Sequence, residues 1–397
     1  MPIGNRVRQH MVESSWIRRM FEIGLEMREK RGADNVFDLS LGNPVMEPPP
    51  EFHRELRRFA EQPIPGMHRY MPNAGYAETR EAVALQLAKE TGLAYRASDV
   101  MMSVGAGGGI NVAIHALADQ GDEVIVFKPY FGEYIFYAYN HYAEPVVVSC
   151  DREFVPDLAE MEHRLTPRTK AVLLNSPNNP SGVVYSSKFL KQLTSLLERK
   201  EREYSTEIFI ISDEPYRKLV YDGADYPFPQ LLYQHTITVN SHSKDLGLPG
   251  ERIGYVAVHP EYTGAQELMD ALVFCNRVMG FVNAPALMQH VVRAIQGVTV
   301  DIGDYQRKRD FLHGQLTSMG YRAFKPQGAF YMFPESPVPD ELALVDALQR
   351  YGVLVVPGRG FGMPGYFRIS FCVEQRVLEG ALEGFRAVAR ELGISPA

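Results

Sequence analysis

From about Tyr76 onward, the chain alternates helical patterns with short apolar runs. Apolar positions at helical spacing predict helices over residues 78–90 and 110–118. The short apolar runs predict strands, which cover residues 100–104, 123–127, 171–175, 208–212, 236–240 and 253–258. Because the later strands are apolar on both faces, they are typical of a parallel sheet covered by helices. The alternation therefore predicts an α/β fold with a mostly parallel, doubly wound sheet.

The two ends of the chain have a different pattern. A helical pattern over residues 14–31 stops at Gly32, and prolines between Pro44 and Pro50 exclude helix in the stretch that follows. After about Met288, long charged helical patterns surround a few strands, which we predict over residues 328–333, 353–356 and 366–371. We therefore expect a large domain over 50–287 and a smaller α+β domain formed by 1–49 and 288–397.

Composition excludes several classes of protein. The net charge is −7 over 397 residues, and no block of lysine and arginine stands out, which argues against nucleic acid or an anionic membrane as partner. The sequence shows neither a secretory signal nor an 18-residue apolar span, so the cytoplasm is the expected location and no membrane partner is expected. The cysteines, Cys150, Cys275 and Cys372, are odd in number and widely spaced, which predicts neither a disulfide framework nor a metal site.

Polar residues follow two of the predicted strands directly. In the turn at residues 175–182, prolines and a glycine hold Asn175 and Asn179 at the end of one strand. Asp213 follows the next strand, with Tyr216 three positions later. An Asn-Pro turn and a helix-capping aspartate are common structural explanations. The alternative is a ligand site, since ligands of open α/β sheets bind at the carboxyl ends of strands.

The run at residues 241–255 carries the strongest chemical signal. Lys244 follows a strand and lies beside Ser241 and Ser243, and Arg252 comes eight positions later. A desolvated lysine has a lowered pKa and can attack an aldehyde, while hydroxyls and a guanidinium bind phosphate. The glycine-rich stretch at 105–109 precedes the helix that we predict from Ile110, where backbone N–H groups also favour an anion.

In combination, these motifs resemble the fold-type I, class I/II aminotransferases, which depend on pyridoxal 5′-phosphate (PLP) and include the aspartate aminotransferases. The resemblance runs from about Ser14 to Phe371 and includes the segment Phe367-Arg368-Ile369-Ser370. It implies that Lys244 bonds to the cofactor aldehyde and then moves the proton of the substrate. Asp213 would pair with the ring nitrogen, and Asn179 and Tyr216 would hold the ring oxygen.

The resemblance also implies the surroundings of the cofactor. Phe131 would stack on the ring, and the backbone of Ala106 and Gly107 would bind the phosphate together with Ser241, Ser243 and Arg252. Tyr70 would reach the phosphate of a neighbouring subunit, which implies a homodimer with shared sites.

For the substrate, the resemblance assigns the α-carboxylate to Arg368 and to the backbone of Gly42, with Asn179 beside them. An arginine within an apolar strand supports that role, since burying its charge without a partner is costly. Trp16 is a candidate contact of the substrate side chain, although packing against the core explains it equally well. Other candidates for that contact, with surface exposure as the alternative, are Arg18, Arg19 and Arg277.

The expected reaction is transfer of an amino group from an L-amino acid, with aspartate favoured, to a 2-oxo acid such as 2-oxoglutarate by a ping-pong route. One alternative keeps the cofactor but makes the protein a lyase, of the carbon–sulfur or cyclopropane-carboxylate-forming type, since fold does not fix function. The other alternative is a non-catalytic PLP-binding sensor domain.

Overall fold

The computed structural model of the protein describes residues 3–5, 7–8, 11 and 16–394. Ser14 and Ser15, at the start of the first predicted helix, lie outside these residues. The helices that follow are α1 (Trp16–Arg31), α2 (Pro50–Glu61), α3 (Ala77–Thr91), α4 (Gly105–Leu117), α5 (Glu133–Asn140), α6 (Leu158–Arg164), α7 (Ser187–Tyr204), α8 (His242–Asp245), α9 (Ala265–Val278), α10 (Ala286–Ala294), α11 (Ile302–Ser318), α12 (Glu341–Arg350) and α13 (Gln375–Glu391). The strands are β1 (Phe37–Asp38), β2 (Val100–Ser103), β3 (Glu123–Phe127), β4 (Glu144–Val148), β5 (Thr169–Asn175), β6 (Phe209–Asp213), β7 (Thr236–Ser241), β8 (Gly254–Val258), β9 (Tyr331–Met332), β10 (Val353–Leu354), β11 (Val356–Pro357) and β12 (Phe367–Ser370).

A seven-stranded sheet forms the centre of the fold, in the order β2-β8-β7-β6-β5-β3-β4. β8 is antiparallel to both of its neighbours, and every pair that does not include β8 is parallel. Helices cover the sheet, and β3, β5, β6 and β7 are almost entirely buried. The predicted α/β fold with a mostly parallel sheet is confirmed.

Two local predictions were wrong. The strand at 253–258 was expected among the parallel strands, but it runs antiparallel as β8. The link from β7 to β8 contains only the four-residue α8 and a 3-10 turn, Pro249–Glu251, so no crossover helix returns the chain to the parallel direction. The glycine-rich stretch was expected to precede a helix from Ile110, but α4 begins at Gly105 and includes it.

Two smaller sheets lie outside the central one, and the N-terminal segment contributes a strand to the first of them. β1 pairs in parallel with β10, so that Phe37 lies opposite Val353. The antiparallel sheet β11-β12-β9 carries Arg368 on its central strand. Across the described residues, no helix combines the length and the apolar character needed to cross a membrane.

Candidate active site

A cavity of about 290 Å³ lies where β5, β6 and β7 end. Because these strands are parallel and in register, Asn175 and Asp213 lie side by side at the same edge of the sheet. The cavity is lined by residues from the strand ends, the first turn of α4, the start of α5, the β7–β8 link and the smaller sheets: Ile17, Gly42, Ala106, Gly107, Ile110, Phe131, Tyr134, Tyr137, Asn175, Asn179, Asp213, Pro215, Tyr216, Ser241, Ser243, Lys244, Pro249, Arg252, Tyr331 and Arg368.

Lys244 extends from the short helix α8 into this cavity. Its Nζ atom donates a hydrogen bond of 2.8 Å to the carbonyl oxygen of Gly42 and lies 5.4 Å from the centre of the Phe330 ring. Burial is the main cause that lowers the pKa of the Lys244 ammonium to about 8; Cys372 opposes it, and the positive charges of Arg368 and Arg252 add smaller lowering effects. The amine is therefore closer to its neutral, nucleophilic form at physiological pH than an ordinary lysine is.

Asp213 is the acidic group of the cavity. Its Oδ2 atom accepts a hydrogen bond of 2.5 Å from the hydroxyl of Tyr134, while its Oδ1 atom is buried and has no hydrogen-bond partner among the described residues. Burial raises the pKa of Asp213 to about 7, although the Tyr134 hydrogen bond opposes this effect. A buried carboxylate with one free oxygen is a strong site for a cationic N–H donor.

The opposite end of the cavity is suited to an anion. α4 begins at Gly105, so the N–H groups of Ala106 and Gly107 belong to its first turn and have no acceptor within the helix. Arg252 lies against the same turn, since a Cβ atom on Gly105 would be 2.6 Å from its Nη2 atom. Ser241 and Ser243 complete this end. N–H groups, hydroxyls and a guanidinium together form a phosphate-binding set.

Arg368 is fully buried in the cavity wall. Its Nη1 atom donates to Oδ1 of Asn179 at 3.0 Å, and its Nη2 atom donates to the carbonyl oxygen of Ser40 at 2.5 Å. The guanidinium packs over the rings of Tyr331 and Phe361, at 4.6 and 4.8 Å from their centres. Burial lowers the pKa of Arg368, and no carboxylate is paired with it among the described residues. The chemistry of a buried guanidinium without a paired anion suits an external carboxylate.

Two tyrosine hydroxyls meet near Gly42. The hydroxyls of Tyr216 and Tyr331 lie 3.0 Å apart. A Cβ atom on Gly42 would be 1.9 Å from the Tyr331 hydroxyl oxygen, so only glycine fits at this position. Gly42 thereby brings its backbone close to both Lys244 and Tyr331.

The cavity brings together all the residues that the resemblance assigned to the cofactor and to the substrate carboxylate, except Tyr70. It also leaves out Trp16, the first candidate for the substrate side chain. Tyr70 is 91% exposed and does not line the cavity. Trp16 also lies outside the lining; it packs against Gly360 and the hydrophobic core, while its neighbour Ile17 lines the cavity instead. The packing explanation therefore describes Trp16 better than the predicted substrate contact.

The arginines considered for the substrate side chain do not line the cavity either. Arg18 is exposed and pairs with Glu22, and Arg19 packs over the Trp16 ring. Arg277 is exposed on α9, next to Phe274.

The sequence did not single out Tyr134, Tyr137 or Tyr331. Tyr134 lies one helical turn beyond Phe131, and this spacing places both residues on one face of the chain entering α5. That spacing could have identified Tyr134 as a neighbour of the site. Tyr137 and Tyr331 have no comparable local signal.

The fold and the cavity match one family. The family model described as aminotransferase class I and II matches residues 34–385, and the chain belongs to this family. It is therefore an enzyme of the transferase class, in a family that uses PLP and is typically homodimeric.

The chain is also similar to named relatives and to a solved structure. The chain is 34% identical to an aspartate/prephenate aminotransferase of Thermus thermophilus, over 93% of this chain and 94% of that protein. It is 30% identical to an aromatic-amino-acid aminotransferase of Thermococcus litoralis, over 97% and 98% of the two chains. A crystal structure of an amino transferase from Eubacterium rectale has a TM-score of 0.94 and 38% identity, over 98% of this chain and 99% of that one.

Proposed function

We propose that this enzyme binds PLP through Lys244 and transfers the amino group of an L-amino acid to a 2-oxo acid. The observation that carries the proposal is the arrangement of three charged groups around one cavity. The buried amine of Lys244, the buried carboxylate of Asp213 and the buried guanidinium of Arg368 all line it.

The residues of the cavity fit PLP. The free Oδ1 atom of Asp213 suits the protonated nitrogen of a pyridine ring, and no described residue occupies that position. The first turn of α4 and Arg252 suit the phosphate. Phe131 lines the cavity and meets Tyr134 edge to face, with ring centres 5.6 Å apart, so it forms a wall against which a ring can stack.

When bound, PLP supplies an aldehyde that bonds to amines and a ring that withdraws electrons from the substrate α-carbon. Asp213 would hold the ring nitrogen protonated, and Tyr134 would keep Asp213 in place. Tyr216 and Asn179 would bind the ring oxygen. Lys244, whose pKa is lowered by burial, would act as the base that moves the proton of the substrate α-carbon. Arg368 and the Gly42 backbone bind the α-carboxylate of the substrate.

The favoured donor is aspartate and the favoured acceptor is 2-oxoglutarate, in a ping-pong reaction. Relatives named for aspartate and for aromatic amino acids support a donor with a carboxylate or a ring. Among the described residues, the cations that line the cavity are Lys244, Arg252 and Arg368, and each already has a role. A second substrate carboxylate would therefore pair with a cation from outside this lining, for which we propose a partner subunit.

The proposed assembly is a homodimer in which Tyr70 reaches the phosphate of the neighbouring site. Tyr70 is 91% exposed, so its ring is accessible to a partner subunit. We also propose a large domain, 50–287, and a small domain, 1–49 with 288–397, because the pattern of the sequence changes near both ends of the chain. The cytoplasmic location stays a prediction.

A donor panel tests the reaction. The PLP-bound enzyme is mixed with single L-amino acids and 2-oxoglutarate, and the products are measured by mass spectrometry. We expect glutamate and the matching 2-oxo acid in equal amounts, and neither product from Lys244→Ala. Donor breakdown to ammonia without any need for 2-oxoglutarate would support a lyase instead. PLP binding without turnover of any donor would support the sensor alternative; neither alternative is favoured by the named relatives.

A further inference from the structure

A second and larger cavity, of about 850 Å³, lies away from the active site. It is a groove between the loop that follows β4 and the C-terminal part of the chain, and we call it the Arg152 groove. Its volume is within the range of small-molecule sites. It is lined by Arg152, Phe154, His313, Thr317, Gly320, Tyr321, Arg322, Ala323, Phe324, Phe333, Glu335, Ser336, Pro337, Tyr366, Leu392, Gly393 and Ile394. None of these residues lines the active-site cavity.

One wall of the Arg152 groove is aromatic. The rings of Phe333 and Tyr366 are stacked, with centres 5.3 Å apart and an interplanar angle of 12°. Phe154 meets Tyr366 at 5.7 Å and Phe324 at 6.0 Å, both edge to face. Phe154 and Phe333 are buried and serve the core, but Tyr366 and Phe324 are only partly covered. A flat apolar group can therefore pack on these two rings.

The rim of the Arg152 groove is cationic. Arg152 is exposed, and the structure gives it no hydrogen bond or ion pair among the described residues. The neighbouring Asp151 forms no ion pair with Arg152; its Oδ1 atom accepts instead from the N–H groups of Glu153 and Val155 at 2.8 and 2.9 Å. Burial is the main cause that raises the pKa of Tyr366, Glu335 and Cys150 raise it further, and Arg152 opposes them with a smaller effect. The Arg152 guanidinium lines the groove together with Tyr366 and is available to an anion.

Arg322 provides the second guanidinium of the Arg152 groove, and its ion pair is weak. Arg322 and Glu335 approach to 3.8 Å, with side chains 84% and 50% exposed. An ion pair this long and this exposed contributes little to stability. A ligand carboxylate can therefore replace Glu335 as the partner of Arg322. Two arginines against one loosely paired carboxylate favour a negatively charged ligand over a neutral or positive one.

We propose that the Arg152 groove binds a small aromatic carboxylate. Its ring packs on Tyr366 and Phe324, and its carboxylate pairs with Arg152 and Arg322. The inference does not depend on the cofactor or on the reaction proposed above.

Fluorine NMR of the PLP-bound enzyme with 4-fluorophenylacetate tests this site. Since Arg368 also binds carboxylates, titrations are run with an aliphatic amino acid donor and its own 2-oxo acid, both saturating, so that the active site stays occupied. Only the binding that remains is assigned to the groove. We expect saturable binding that weakens at least about tenfold in Arg152→Gln/Arg322→Gln, the loss of roughly one charged interaction. The matched control, Arg307→Gln/Arg376→Gln, removes two exposed arginines outside the groove and should bind as the wild type does.

Two further probes separate the ring from the charge. 4-Fluorophenylacetamide lacks the charge and fluoroacetate lacks the ring, and each should bind at least about tenfold more weakly than 4-fluorophenylacetate. The proposal fails if no binding remains beside the donor, if the double variant binds as the control does, or if fluoroacetate binds equally well. The last result would describe a general anion site. Thermal unfolding confirms that the variants are folded, and Arg152→Gln alone replaces the double variant if that one is not.

Discussion

Replacing Lys244 by methionine should remove a pH dependence of stability from the cofactor-free protein. Burial lowers the pKa of the Lys244 ammonium from 10.5 to about 8 in the folded chain. The folded state therefore binds this proton less tightly than the unfolded state does. Below pH 8 the charged amine destabilises the fold, and the penalty fades as the pH rises toward 10.5.

The size of this penalty follows from the change in the pKa of Lys244 between the unfolded and the folded chain, which is about 2.5, since 10.5 − 8 = 2.5. At about 1.4 kcal/mol per unit, the penalty is at most about 3.5 kcal/mol at pH 7 and falls below about 1 kcal/mol at pH 10. Methionine has a similar shape and no charge. It also removes the hydrogen bond to the Gly42 carbonyl, but this loss has no steep pH dependence. The difference in unfolding free energy should therefore shift by roughly 2–3 kcal/mol in favour of the wild type between pH 7 and pH 10.

The assay is urea unfolding of both cofactor-free proteins at several pH values between 7 and 10. The control is Lys191→Met, at an exposed position on α7, whose ammonium is solvated in folded and unfolded chains alike. Its effect should be the same at every pH. If the curves of the wild type and Lys244→Met run parallel across this range, Lys244 is not desolvated and the reasoning about its amine is wrong.

Other predictions concern neighbouring contacts. Tyr134→Phe removes a hydrogen bond to the Asp213 carboxylate, for which about 1.5–3 kcal/mol is typical, so kcat/KM should fall roughly 10- to 100-fold; an unchanged kcat/KM would count against Asp213 as the ring partner. Gly42→Ala places a Cβ atom on the Tyr331 hydroxyl and should nearly abolish turnover, and adding Tyr331→Phe should restore part of it; strictly additive losses would contradict the steric explanation. Arg368→Lys loses the forked guanidinium and should raise KM for acidic and neutral donors alike, whereas a rise confined to dicarboxylates would argue against an α-carboxylate role.

The sequence was sufficient to predict which residues gather at the sheet edge. Asn175, Asp213 and Ser241 each end an apolar strand, and parallel strands bring such ends together. The direction of β8 was not predictable from its residues. A strand buried on both faces has the same apolar pattern whether it runs parallel or antiparallel.

The glycines at the start of α4 show where local propensity fails. Glycine is a poor helix former, so the sequence favoured a loop. In the structure, a Cβ atom on Gly109 would be 2.8 Å from Val239 and 2.9 Å from Val256, and Gly105 has a φ of +67°. Close packing against the sheet and a left-handed backbone require glycine here, and both are tertiary constraints that a local pattern does not contain.

The tyrosines of the site were missed for a related reason. The chain has 21 tyrosines, and apart from the spacing of Tyr134 from Phe131 no local signal distinguishes Tyr134 or Tyr331 from the others. Their roles come from contacts with Asp213 and Tyr216, which lie 79 and 115 positions away. Such distant pairings become visible only when the fold is known.

The most direct test of the central claim is to locate the lysine that bonds to PLP. The PLP-bound enzyme is reduced with borohydride, which makes the bond permanent, and digested peptides are analysed by mass spectrometry. The account predicts one phosphopyridoxyl group per chain, on Lys244, and none on the other lysines. A label on a different lysine, or no label after reduction of a protein that holds PLP, would contradict it.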